Sequence, residues 1–291
     1  MTPLPDSTAT PTYHLGRLRV TCLFDGWLML DGGAMFGVVP KTLWEKKLPA
    51  DSLNRVKLAL RPLLVHTPAG PVVVESGVGH AITGKLVDIY GIQRLGPTLD
   101  DQVAAQGVDP AEVRHVVLTH LHWDHSGGCC KLVHDRYVPC FPNATYHVQE
   151  AEWDTAMAAN NVHKASYVPA SLSPLLRERG RLRLHSGSGP VVEGLRFELT
   201  RGHTRNHAVV WIEDGEANGC FMGDLIETSA HVPLPWISAY DYCTGESFKA
   251  RQRLYPQFAD RRTLLFIYHD PAVAAIRLVR DQSRWDFEVV S

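Results

Sequence analysis

The segment Leu118 to Gly128, LTHLHWDHSGG, places His120, His122, Asp124 and His125 within six positions. Neutral imidazoles and carboxylates are good ligands for divalent cations, whereas three charged imidazoles held this close would repel one another. Residues i and i+2 of an extended segment point the same way, so His120 and His122 can share one cation. Asp124 and His125 fall just past the bend and face a second position, and Asp124 can also cap the turn that follows. Neither pair is complete, because a catalytic zinc keeps about three protein ligands and one open place.

The missing ligands are sought where other strands stop and loops begin, which is where α/β sites form. His203 in LTRGHTRNH, Asp224 in CFMGDL and His269 in FIYHD each follow a run of strand character. The count then closes. One set takes His120, His122 and His203, the other takes Asp124, His125 and His269, and Asp224 bridges the two. A hydroxide held between two such cations is a nucleophile at neutral pH. Two divalent ions are therefore implied, zinc first, with iron, cobalt or manganese also suited to nitrogen and oxygen donors. His207 reads as support for the site, and His231, in an apolar loop past Asp224, as a side chain within reach of the cleft.

The elements that must hold these residues are read from periodicity and breakers. Leu18–Phe24 alternates and reads as a strand, and Leu63–His66 with Val72–Glu75 as a hairpin around Pro68-Ala69-Gly70. Leu99–Gln106 reads as a helix stopped by Gly107, and Val113–Leu118 as the buried strand that feeds the histidine segment. Ala144–Val148 is a strand and Gln149–Ala158 a helix. Strands follow at Leu182–Leu184, Leu195–Thr200, His207–Glu213 and Gly219–Met222, then an amphipathic helix at Ser247–Phe258 and a strand at Thr263–Tyr268. Pro271–Val279 reads as a helix and Asp286–Val290 as a last strand. Asp31–Pro40, DGGAMFGVVP, reads as an apolar loop that packs on the body or lines a pocket. The pattern implies an α/β fold, with sheets in the centre and helices outside.

The chain has 291 residues, 45% hydrophobic, with a formal net charge of -2. That balance points away from a nucleic-acid or membrane partner, and no apolar run is long enough to span a bilayer. Residues 1–16, polar and rich in Pro and Thr, read as a flexible arm without the features of a signal peptide, and 17–291 as a single domain. The six cysteines form no C-x-x-C pair and read as reduced, buried thiols of a cytoplasmic protein. The apolar N-terminal third is compatible with a homodimer contact or with a pocket wall.

The motif His120-Leu121-His122-Trp123-Asp124-His125, with His203, Asp224 and His269 in that order, resembles the H-x-H-x-D-H metallo-β-lactamase superfamily over nearly the whole chain, Leu18 to Val290. The resemblance implies an αβ/βα sandwich, two central mixed sheets with helices outside, and a dinuclear metal site at one edge. DGGAMFGVVPKTLW, FPNATYHVQEAEWD and FIYHD are similar to the N-acyl-homoserine lactonase, quorum-quenching branch. Methyl parathion hydrolase and related aryl esterases share the layout. Asp224 stands where the commonest zinc β-lactamases carry Cys. Better-known lactonases carry a Tyr shortly after the bridging Asp; here the residues are Asp224-Leu225-Ile226-Glu227, so that role is unfilled or moved. Glu75-Ser76-Gly77 replaces the usual Asp-Thr-Gly. The expected activity is opening of the ester bond of a lactone, an N-acyl-homoserine lactone first, by a metal-bridging hydroxide. The alternative is a phosphotriesterase or aryl esterase on the same site. Asp124 is then the catalytic residue, passing a proton to the leaving alkoxide. Met35, Phe36, Trp123 and Trp236 are candidates for an acyl-chain surface, and His231 for a substrate contact.

Overall fold

The computed structural model describes residues 5–94, 96–134, 136–158, 163–172, 181–282 and 284–291. Its strands run in chain order β1 (Thr12–Leu15), β2 (Leu18–Cys22), β3 (Gly26–Asp31), β4 (Arg55–Leu60), β5 (Leu63–Thr67), β6 (Gly70–Val74), β7 (His115–Val117), β8 (Cys130–Val133), β9 (Arg136–Pro139) and β10 (Thr145–Gln149). They continue as β11 (Leu182–His185), β12 (Gly189–Val192), β13 (Leu195–Leu199), β14 (Ala208–Asp214), β15 (Ala217–Phe221), β16 (Leu264–Phe266), β17 (Ala275–Asp281) and β18 (Arg284–Val289). Two mixed sheets result, ordered β1-β2-β5-β6-β7-β10-β11 and β12-β13-β14-β15-β16-β17-β18.

Alternation along the strands decides how the sheets stack. In β6, Val72 and Val74 join the core between the sheets, together with Phe197, Val210, Phe221 and Phe266 of the second sheet. Val73, between them, faces the other way, onto Leu99 and Val103. Those two residues belong to helix α4, so numbering the helices requires α1 (Gly32–Phe36), α2 (Lys41–Trp44), α3 (Lys85–Ile89), α4 (Leu99–Ala105), α5 (Trp123–Ser126), α6 (Glu150–Met157) and α7 (Thr244–Asp260). The outer face of the second sheet is covered by α7, which buries Ser247, Ala250, Arg251, Leu254, Tyr255 and Phe258 at helical spacing. Helices thus lie outside two central sheets, as the sequence implied.

Three expectations change. Pro271–Val279 is not a helix: Ala275–Asp281 is strand β17, paired antiparallel with β16 and β18. Ile276 and Leu278 there bury against the α7 layer, so β-pairing and burial override a local pattern that reads as helical. Asp31–Pro40 is not a plain loop, because Asp31 caps the short helix α1 by accepting the Ala34 N–H at 2.8 Å. The arm does not extend to residue 16 as a free segment. Thr12–Leu15 forms β1 and pairs with β2, and Tyr13 donates to the Val290 carbonyl. Residues 1–4 of that arm lie outside the described residues.

The β3–β4 ribbon stands apart from both sheets and reaches the second one through the Ala59 N–H, which donates to the His269 carbonyl. Three histidines not singled out in the sequence, His115, His147 and His185, form a side-chain ladder across β7, β10 and β11, each contact 3.0 Å. The six cysteines are free, and all but half-buried Cys243 are buried. Among the described residues, no helix is long and apolar enough to cross a membrane.

Candidate metal centre

Parallel β6, β7 and β10 bring their ends to one edge, and the segment after β7 turns there into α5. The turn is fixed from below. Glu75, directly after β6, accepts the Thr119 N–H at 2.7 Å through Oε1 and places Oε2 3.2 Å from His125 Nδ1. Glu75 itself has φ +63°, a region that costs a non-glycine residue energy and persists only where surrounding bonds demand it. Its N–H donates to the Val117 carbonyl, and Ser76 binds the His125 carbonyl through both its N–H and its hydroxyl.

The seven residues singled out in the sequence converge at this edge. His122 Nδ1 lies 3.0 Å from His203 Nε2. Asp224 Oδ2 lies 3.1 Å from His203 Nε2 and 3.9 Å from His120 Nε2. Its other oxygen, Oδ1, lies 3.2 Å from His125 Nε2 and 3.4 Å from His269 Nε2. Asp124 Oδ2 is 3.6 Å from His269 Nε2 and 3.9 Å from His125 Nε2. His120, His122, His203 and Asp224 can therefore converge on one cation, and Asp124, His125 and His269 on another. Asp224 turns one oxygen to each group.

The rest of the chain orients these side chains. Asp241 Oδ1 lies 2.9 Å from His203 Nδ1 and its Oδ2 accepts the Ser247 hydroxyl. His269 Nδ1 is 2.9 Å from the Ala59 carbonyl, and His120 Nδ1 is 2.9 Å from Thr119 Oγ1. His207 is not among the convergent nitrogens. Its Nε2 accepts the Asp224 N–H at 3.0 Å, which leaves Nδ1 to donate to Thr200 Oγ1 at 2.7 Å. Gly223 sits against it at φ +48°, where a Cβ would lie 2.6 Å from His207 Nε2. Only glycine lets the chain pass there and deliver Asp224.

Burial, reinforced by the neighbouring imidazoles, holds His120 and His122 well below the ordinary histidine value, so both are neutral donors. For His125 and His203 burial opposes charge, but Asp224 prevails in each. His125 is raised well above its ordinary value and His203 to about 9. Burial raises Asp224, yet His125, His203 and His269 outweigh it and hold the carboxylate well below its usual range. This is a site built for positive charge between two carboxylates. His120 Nε2 and Asp224 Oδ1 are buried without a protein hydrogen-bond partner. Such orphans are costly unless a ligand satisfies them, so the nitrogen and oxygen donors present fit divalent cations.

A cleft of about 540 Å³ opens over the site, lined by Leu30, Met35, Leu58, Tyr90 and Trp123 on its apolar side. Met35 and Trp123, two of the acyl-chain candidates, line it. Phe36 and His231 do not line it. Phe36 is fully buried, stacked at 5.0 Å on Trp44 and 4.5 Å on His231, with Trp236 edge-on at 5.9 Å. His231 is held by Thr228 Oγ1 and the Met35 carbonyl, so it supports the wall from behind. Asp241, Glu227 and Tyr240 were not singled out as site residues. Nothing in the local sequence marks Asp241 and Tyr240, which reach the site only when the loop before α7 folds back, whereas Glu227 lies three residues after Asp224.

A two-sheet α/β sandwich with paired histidine and carboxylate groups at one sheet edge defines a metallohydrolase-type scaffold. The chain belongs to the metallo-beta-lactamase superfamily, which residues 61–269 match. It is 34% identical over 118 residues to the N-acyl homoserine lactonase AttM of Rhizobium johnstonii, covering 36% of this chain and 40% of that protein. The match to this curated relative thus spans less than half of the relative's length. A probable metal-dependent hydrolase from Staphylococcus aureus is 27% identical with a TM-score of 0.87, covering 96% of this chain and 99% of that one. AidC, described as a dizinc quorum-quenching lactonase, shares the fold at a TM-score of 0.78 and 20% identity, over 99% of both chains.

Proposed function

We propose that this chain is a metal-dependent hydrolase that opens the ester bond of a lactone, an N-acyl-homoserine lactone foremost. The observation that carries the reading is the division of Asp224, one oxygen toward His120 and His203 and the other toward His125 and His269. The curated match to a lactonase supports the substrate class.

His120, His122 and His203 would hold one divalent cation, Asp124, His125 and His269 a second, and Asp224 both. Zinc suits these donors, and so do iron, cobalt and manganese. Such a pair, when bound, supplies a Lewis acid for the carbonyl oxygen and a water acidic enough to attack at neutral pH. The protein's own part is orientation and proton movement. Glu75 and Asp241 fix His125 and His203 through the nitrogens turned away from the convergence. Asp124 lines the cleft, which supports its role in returning a proton to the leaving alkoxide oxygen. Leu30, Met35, Leu58 and Trp123 offer an apolar wall to the acyl chain and keep bulk water from the reacting carbonyl.

The test is hydrolysis by the metal-replete protein of homoserine lactones of several acyl lengths, against paraoxon and an aryl acetate. A chelator-sensitive preference for a lactone is expected. Faster turnover of the phosphotriester or the aryl ester would overturn the substrate class while leaving the site in place.

A further inference from the structure

Among the described residues, four of the buried polar atoms that lack a hydrogen-bond partner belong to the convergent groups or their strut: His120 Nε2, His125 Nδ1, Asp224 Oδ1 and Glu75 Oε2. A fifth, Oε2 of Glu227, belongs to neither group, and the Glu227 side chain lines the same cleft. The Glu227 side chain is 3% exposed. Its nearest cation, Arg251 Nη2, stands 3.7 Å away, beyond hydrogen-bond reach. That guanidinium is already committed to the carbonyls of Leu225, His231 and Trp236. His231 Nε2, 4.0 Å off, is bonded to the Met35 carbonyl.

A carboxylate oxygen taken from water with no donor is costly, and such a group persists where a ligand supplies the donor. Position says which ligand group. A Glu227 oxygen lies within 4.8 Å of a His203 ring nitrogen and an Asp241 carboxylate oxygen, so Glu227 stands beside the group that contains His203. A substrate donor that meets Glu227 from the cleft is therefore held on the His203 side of the site. Burial, then the Asp241 carboxylate, push the Glu227 carboxyl up to about 8. Acceptor capacity survives in either protonation state.

Resting on the ester-hydrolase reading above, we propose that Glu227 is a specificity-determining residue that accepts a hydrogen bond from a substrate N–H beside the reacting carbonyl. The cleft therefore prefers an acylamino lactone to a lactone with only carbon at that position. A site built to bond one polar group rejects an analogue that lacks it, because the buried partner is then left unpaired.

The experiment compares N-hexanoyl-homoserine lactone, its N-methylated amide and α-hexyl-γ-butyrolactone. For the native protein, N-methylation is expected to lower kcat/KM on the order of tenfold to a hundredfold. Glu227→Ala should lower the ratio of kcat/KM for the acylamino lactone over α-hexyl-γ-butyrolactone by a similar factor, and Glu227→Gln by less. Calorimetry with the non-hydrolysable 2-hexanamidocyclopentanone and 2-hexylcyclopentanone should show the same contrast in affinity. N-methylation without effect overturns the proposal, and that measurement needs no variant to fold. So does an equal loss on both lactones, or loss of bound metal in a folded Glu227→Gln protein, which would make Glu227 part of the metal support. If no lactone is hydrolysed, the ester-hydrolase reading loses its lactone substrate. The same contrast is then read with the p-nitrophenyl esters of N-hexanoylglycine and octanoic acid, where equal turnover overturns the role of Glu227.

Discussion

Oε2 of Glu75 lies 3.2 Å from Nδ1 of His125, while its Oε1 holds the Thr119 N–H at 2.7 Å. One side chain therefore fixes both the start and the end of the histidine segment. Shortening or neutralising it should loosen the group formed by Asp124, His125 and His269. Glu75→Ala is expected to weaken binding of the second cation by about tenfold to a hundredfold. Metal analysis after dialysis against graded chelator checks this, and an affinity equal to the native value would refute it.

Asp241 does for His203 what Glu75 does for His125, with its Oδ1 2.9 Å from His203 Nδ1. Asp241→Asn keeps the shape but removes the charge that favours a proton on His203 Nδ1. The expected result is weaker binding at the group containing His120, His122 and His203, with the other group less affected. Cobalt substitution followed by its visible spectrum resolves the two. Parallel loss at both would show that Asp241 acts on the fold rather than on His203.

His122 donates to the first group and has little other work, since Ser126 binds its carbonyl rather than its ring. His122→Ala should cut hydrolysis by more than about a hundredfold and lower bound metal, with the melting profile nearly preserved. Full activity at unchanged metal content would remove His122 from the site.

Gly223 carries a steric prediction. Gly223→Ala places a Cβ 2.6 Å from His207 Nε2 and 2.8 Å from Thr119 Oγ1, at a φ of +48°. A stability loss on the order of 3 kcal/mol is expected, with impaired metal binding because Asp224 is the next residue. Urea unfolding measures the first and metal content the second. A variant as stable as the native protein would mean that the loop yields without cost.

Asp25 carries a pH prediction away from the metal centre. Burial raises its carboxyl from 3.8 to about 6, against the opposing bonds from Val78 and Gly79. The folded chain thus holds this proton more tightly than the unfolded chain. The sign follows: its stabilising contribution is complete below about pH 4 and is lost as pH rises through 6. Asp25→Asn should remove on the order of 2 kcal/mol of that dependence. The check is the difference between native and variant unfolding free energies from pH 4 to 7. A flat difference would overturn the assignment.

The sequence alone determined the chemistry of the ligands and the class of fold. Three imidazoles within six positions after a β-branched run leave few uses other than metal binding, and an unbroken apolar run such as Val72-Val73-Val74 marks a strand buried on both faces. Both are local properties, legible without contacts. His203, Asp224 and His269 were also reachable, because strand-ending positions are marked by the runs before them. The misreadings arose where local signals compete with tertiary contacts. Ala275–Asp281 reads as helix but takes the sheet edge offered by β16 and β18. Phe36 and His231 read as cleft residues but stack on each other behind its wall. Asp241 could be found only in three dimensions, and Glu227, three residues past Asp224, shows its place in the cleft only there. Their role depends on distances to His203 across stretches of chain whose course is set by packing. The division of the Asp224 oxygens between two groups is likewise a fact of position, supplied by Gly223, His207 and the sheet edge that holds them.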